Sequence, residues 1–219
     1  MEQGSLSQEQ LTRKLKSEKQ LEAEEVPYIY HLPVIEKNGD FEERTKEEIA
    51  YRALSLLVVA LKGEGMEQDI VESIVNKYGL KDKLTQNEKL FIWNEIHSEQ
   101  DKINALWRYE SAWTLLWALG YIEELDTPNK ICDVPKAVSF MRERTASSFI
   151  NDSKLRAIDE ILDQADIIYR YHWAVVDARV NGRETPAGLN PSLVMERHYA
   201  LNWLIKHMDQ EWDDISTDT

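Results

Sequence analysis

Four side chains in this sequence have the chemistry and the spacing to build a site: Glu110, His172, Arg197 and His198. Each interrupts an apolar stripe of helical period, where a polar group is carried inward with its apolar neighbours. Glu110 stands four residues after Leu106 and three before Trp113. His172 follows Ile161, Leu162, Ala165, Ile168 and Tyr169, and precedes Val176. Arg197 and His198 sit side by side among Leu193, Val194, Leu201, Leu204 and Ile205. If the three stripes share one core, the four groups converge.

Three chemistries fit such a cluster. A buried charge left unpaired is costly, so a structural Glu–Arg pair with histidines satisfied by tyrosines or main chain is one reading. Glu110, His172 and His198 are also ligand types for zinc or iron, but no H-E-x-x-H spacing accompanies them, so no metal and no cofactor is assigned. A general acid–base site of Glu110 with a histidine is the third. Arg108, one residue off its stripe, is placed to face an exposed carboxylate. Phosphate-binding glycine loops, a G-x-S-x-G elbow and paired C-x-x-C motifs are all absent. The single cysteine, Cys132, excludes an internal disulfide and suits a reducing cytosol. It precedes a helix start, where it is either a nucleophile or a half-buried small apolar side chain.

The elements that carry these residues are helices. Eight glycines and six prolines in 219 residues are too few for a protein of many short strands and turns. Ser7 with Gln10, Thr45 with Glu48, and Thr85 with Glu88 form capping boxes, and Ser98 caps a further helix. Gly63, Gly79-Leu80, Gly120 and Asn181-Gly182 supply the stops. Asp133 opens a helix with Pro135 in its first turn, and Asn190-Pro191 opens the last. The helix from Glu99 to Leu119 holds three of the seven tryptophans and is predicted to bury Ile103, Leu106, Trp107, Trp113, Leu116 and Trp117. Ala53–Leu61 is apolar all round and predicts a central helix. Thr145–Ser153 reads as a small, polar, mobile link. Residues 1–44 form an N-terminal helical arm, then a strap extended through Pro27 and Pro33; residues 45–219 form the helical body. The expected architecture is mainly α, about eight helices in one compact domain.

The charge narrows the function classes. Forty acidic residues against 26 basic give a net charge of −14, which repels a nucleic-acid backbone. The lysines and arginines near the N-terminus are interleaved with glutamates and make a solvated helix face. Met1–Ser5 lacks the basic end and apolar run of a signal peptide, and no apolar run is long enough for a bilayer. The acidic tail from Asp209 carries Trp212 and Ile215, which argue that it docks with Asp213 or Asp214 against an arginine.

Several motifs together resemble one family. They are Arg13-Lys with Ser17-Glu, His31-Leu-Pro-Val-Ile-Glu36, Lys46-Glu-Glu-Ile-Ala50, Trp107-Arg-Tyr-Glu110 with Leu115-Leu-Trp-Ala-Leu-Gly120, Glu160-Ile-Leu-Asp163 with Tyr169-Arg-Tyr-His-Trp-Ala174, Glu196-Arg-His-Tyr-Ala-Leu-Asn-Trp-Leu204 and the terminal Trp212–Thr219. The chain resembles domain of unknown function 4272, an uncharacterised bacterial family. The resemblance implies one full-length domain in a bacterial cytosol and brings no activity, substrate or catalytic residue. The leading expectation is a cytoplasmic helical protein acting through a protein partner, of regulatory or immunity type. The competing one is a small-molecule or metal-dependent hydrolase built on Glu110, His172 and His198.

Overall fold

The structure is a computed structural model that describes residues 6–94 and 96–219. Met1–Ser5, the stretch weighed above against a signal peptide, lies outside the described residues. Among those described, nine α-helices and three short 3-10 turns account for all regular structure. The helices are α1 (Gln8–Ala23), α2 (Lys46–Gly63), α3 (Gln68–Tyr78), α4 (Gln86–Trp93), α5 (Glu99–Ala118), α6 (Val134–Arg142), α7 (Ala146–Asp152), α8 (Ile158–Val180) and α9 (Pro191–Leu204). No described helix is long and apolar enough to cross a membrane.

The expected caps form. Thr45 Oγ1 accepts from Glu48 N–H at 3.2 Å, and Asn190 Oδ1 accepts from Ser192 and Leu193 N–H at 3.0 and 3.3 Å. These bonds satisfy donors that the first helical turn leaves open. The predicted mobile link is instead α7. Thr145 caps it through Ser148 N–H at 3.1 Å, and fully buried Phe149 anchors it. One apolar anchor is too little to produce a periodic signal.

Helix α2 is buried on every side, as its composition requires, and its main partner is α5. Each fully buried leucine here, such as Leu54, Leu56 and Leu57, contributes about 1.5–3 kcal/mol of transfer free energy. The contact is close at one end, where a Cβ on Gly63 would lie 2.8 Å from the Cβ of Ala105. That approach turns α5. Ala105, Tyr109, Ala112 and Leu116 face inward, while Ile103 and Leu106, expected inside, are 46% and 37% exposed. A small residue lets the two backbones approach where Ile or Leu would hold them apart. On its other side α5 packs against α9, and α9 against α8.

The arm lies on α8. Of Leu11, Leu15 and Leu21, only Leu21 is buried; Arg13 fills the inward face and reaches Asp163 on α8 at 3.3 Å. Leu32 pins the strap, while Tyr30 stays exposed. The tail docks as its aromatic content suggested. Trp212 is buried edge-on to Tyr199 and Trp203, with centroids 5.0 and 5.6 Å away. Its arginine partner differs from the expectation: Arg44 pairs with Glu211 at 3.1 Å, and Asp213 accepts from Asn87 N–H at 3.1 Å at the start of α4.

Gly120 closes α5 at φ +78°, with Tyr121 N–H donating to Leu116 O at 2.9 Å. A Cβ there would lie 2.6 Å from the Lys154 carbonyl oxygen, whereas Gly65 at φ +93° has open space. Gly65→Ala is expected to cost about 1 kcal/mol of backbone strain and Gly120→Ala about 2–3 kcal/mol, the difference being the clash. Urea unfolding of the two variants checks this; equal losses would remove the clash from the account.

Candidate functional site

Arg197 and His198 are neighbours on α9, and consecutive helical side chains leave the axis about 100° apart. The helix lies between α5 and α8, so the two point to different partners. Arg197 lies toward Glu110 of α5 and the segment between α5 and α6, and His198 toward His172 of α8. The four candidates are therefore brought into one region as two pairs, with no hydrogen bond joining Glu110 to either histidine.

Glu110 is 2% exposed, and its Oε1 accepts from Cys132 N–H at 2.6 Å. Its Oε2 has no protein partner. Burial pushes the Glu110 carboxyl above the ordinary carboxylate range, opposed by the Cys132 amide and the positive charge of Arg197. Arg197, also buried, does not close an ion pair with it; Nη1 donates to the Asp126 carbonyl, and Nε is unpartnered. Both charged groups thus hold the irregular segment 119–133. Arg156 holds it too, donating to Trp117 O at 2.9 Å and Ile122 O at 3.0 Å, and Asn190 N–H donates to Pro128 O at 2.8 Å. Buried main-chain groups outside a helix need partners, and these side chains provide them. Cys132 is half-buried, and burial followed by the nearby Glu110 raises its thiol pKa, so it is a poor nucleophile.

On the other side, His172 Nδ1 and His198 Nδ1 are 2.8 Å apart with their rings nearly perpendicular. The histidines satisfy each other, where tyrosine or main-chain partners were expected; Tyr169 only packs against the His198 ring. Burial lowers His172 to about 4 and His198 to about 3, helped by Arg179 and by His172 respectively. Both rings are neutral near pH 7, and the short contact shares one proton. No group of three or more His, Cys, Asp or Glu side chains among the described residues could hold a metal ion.

Arg108 meets a carboxylate, but a buried one: Glu196 Oε2 accepts from Arg108 at 3.2 Å and from Ser111 Oγ at 2.6 Å. Two buried ion pairs escaped the reading by stripes. Asp166 and Arg170 pair bidentately at 2.8 and 2.9 Å within α8, and Arg52 of α2 pairs with Glu88 of α4. The first carried a signal, an acid and a base four residues apart on an apolar face.

Among the described residues, three larger clefts open at the surface, beside smaller cavities of about 30 Å³ at Arg197 and about 120 Å³ at His198. One of about 600 Å³ flanks the tail at Trp212, a second of about 460 Å³ lies between α4 and α5, and a third of about 470 Å³ opens at His172. Glu110 lines none of them.

The sequence model of a family described as domain of unknown function (DUF4272) matches residues 13–215. The chain belongs to that family. No curated protein and no solved structure matches it. Both candidate pairs and all three clefts fall inside the matched span of this DUF4272 chain.

The two pairs titrate with opposite sign. Glu110 is raised in the fold, so the native state holds its proton longer and stability falls as pH rises from 4.5. Glu110→Gln should therefore gain stability relative to the native chain between pH 4 and pH 7. His172 is lowered, so its contribution is complete above 6.5 and is lost as pH falls toward about 4. His172→Gln should flatten that acid limb by about 3 kcal/mol. Urea unfolding across the pH series reads both; parallel pH profiles for variant and native chain would refute the corresponding assignment.

Proposed function

We propose that this chain acts by binding another protein, with the cleft beside the docked tail taking a basic segment of it. The carrying observation is an excess of acid in that cleft. Six carboxylates line it against three cations, Arg44, Arg52 and Lys83. All three cations are engaged within the chain: Arg44 lies over the Trp203 ring at 4.2 Å, Arg52 over Trp212 at 5.2 Å and Lys83 over Tyr51 at 4.5 Å. Of the carboxylates, Glu48 accepts from the Thr45 N–H at the start of α2, Asp213 caps α4 and Glu211 holds Arg44. Glu47, Asp82 and Asp214 have no hydrogen-bond or ion-pair partner among the described residues. Unspent negative charge in a concave site selects a cationic ligand.

The neighbouring cleft extends this surface. Trp212 and Asp213 line both. Leu90 and Phe91 line the second, and Leu90, Trp93 and Ile96 are exposed apolar side chains on α4 and the segment after it. Clustered exposed apolar groups mark interaction surfaces more often than isolated ones do. An amphipathic basic segment matches the pair of clefts, its cations on the first and its apolar side chains on the second. A bacterial, cytoplasmic setting belongs to the same reading and is supported by the lone cysteine and the sequence resemblance.

Calorimetric titration with an amphipathic peptide rich in lysine and leucine should show binding that weakens about tenfold from low to high salt. An acidic peptide of equal length should not bind. Asp82→Lys combined with Asp214→Lys should abolish the interaction. Unchanged affinity in that double variant, or no binding by the native chain, would overturn the proposal.

A further inference from the structure

The third cleft has the opposite chemistry and lies outside the surface just described. His172, Arg179, Arg183, Thr185 and Ser192 line it, and no carboxylate does. In a chain of net charge −14, a concave site with two guanidiniums and no acid stands out. Arg183 is shared with Asp177, while Arg179 has no ion-pair partner among the described residues. The Ser192 and Leu193 amides at the start of α9 are taken by Asn190, so that end offers the Ser192 hydroxyl. The donors come from α8, the segment after it and α9, and so approach from different directions.

His172 is 9% exposed, and its Nδ1 is spent on His198. Its other nitrogen, Nε2, has no protein partner and lies on the ring edge away from His198, toward the cleft. The Nδ1–Nδ1 contact admits the shared proton on either ring. Asn202 donates its amide to the Ser216 carbonyl at 2.8 Å and lines a small cavity with His198, so its Oδ1 is the atom left for that ring. An arrangement with the His198 proton on Nε2, toward Asn202, has His198 accepting at Nδ1. In that arrangement His172 donates from Nδ1 and presents a bare Nε2 to the cleft.

We propose that this cleft binds a tetrahedral oxyanion, free phosphate or the phosphate group of a small monoester, with uptake of one proton at His172 Nε2. The proton comes from solvent, from dihydrogen phosphate or from a singly protonated monoester, and the Nδ1–H donated to His198 is undisturbed. Arg179 and Arg183 supply charge, and the Thr185 and Ser192 hydroxyls supply further donors. The groups acting on the ring are Arg179 and the Arg183–Asp177 pair on one side and His198 from α9 on the other. Without an anion Arg179 opposes ring protonation; an anion bound beside it reverses the sign of the local field. Anion binding and protonation therefore favour one another, as linkage requires.

Sulfate is the probe for pH, because it does not titrate between pH 5 and pH 8. At constant ionic strength it should bind about tenfold more tightly at pH 5 than at pH 8. In parallel, NMR titration of the ring protons should show the His172 pKa rising with sulfate. Arg179→Gln and Arg183→Gln, both at exposed positions, should each weaken binding about fivefold or more, and His172→Gln should remove the pH dependence. Inorganic phosphate and glycerol phosphate compared at pH 8 separate the sources: equal affinity supports the free anion, tighter ester binding the monoester. Long-range proton–nitrogen spectra should show His172 protonated at Nδ1. A proton at Nε2 instead, equal sulfate binding by the arginine variants, pH-independent affinity, or no binding would each overturn the proposal.

Discussion

Backbone outside a helix must find hydrogen-bond partners wherever it is covered, and in this molecule side chains carried by helices provide them. Segment 119–133 has no regular structure, and Glu110, Arg197 and Arg156 hold it by the Cys132 amide and the Asp126 and Ile122 carbonyls. The tail is held the same way, through Arg44 on Gln210 O, Asn202 on Ser216 O and Tyr199 on Trp212 O. So is the strap, with Gln10 donating to Ile35 O at 2.8 Å and Arg13 to Glu36 O. Tyr78 reaches Met141 O, and Tyr121 reaches Phe149 O, each at 2.6 Å. Without these anchors the long connections would leave unsatisfied main-chain groups against the core, at a cost of about 1–3 kcal/mol each.

That constraint explains why so many charges are buried in a protein whose helices could have been packed with leucine. Replacing a buried ion pair by apolar groups is often neutral or better for stability. Glu110 and Arg197 do not form such a pair; each is engaged with main chain that an apolar residue could not hold. The raised carboxyl pKa of Glu110 records the cost of its burial. The histidines illustrate a different economy, two neutral rings sharing one proton so that neither needs a charge.

The surface divides by charge in a way the total of −14 conceals. Acid gathers where the tail folds back over α2 and α4, with its local cations already turned onto aromatic rings. Base gathers where α8 ends and α9 begins, beside His172. The tail belongs to the acidic region. Trp212 walls that cleft, while Ser216 accepts from Asn202, which shares a separate small cavity with His198.

The sequence by itself determined the helical class, most helix ends, the docking of Trp212 and the burial of Glu110, His172, Arg197 and His198. Those signals are local: a capping box spans four residues, and a helix repeats its face every three or four. It was also enough to single out Glu110, His172, Arg197 and His198, since a polar group inside an apolar stripe has few places to go. Their division into two pairs was decided only by tertiary structure. The close approach of Gly63 to Ala105 sets the rotation of α5, turning Ile103 and Leu106 outward and Glu110 toward segment 119–133. The position of α9 between α5 and α8 then sends Arg197 one way and His198 the other. Rotation and partner choice depend on contacts between residues far apart in the chain, and a periodic pattern specifies a helix's buried face without specifying what that face will meet.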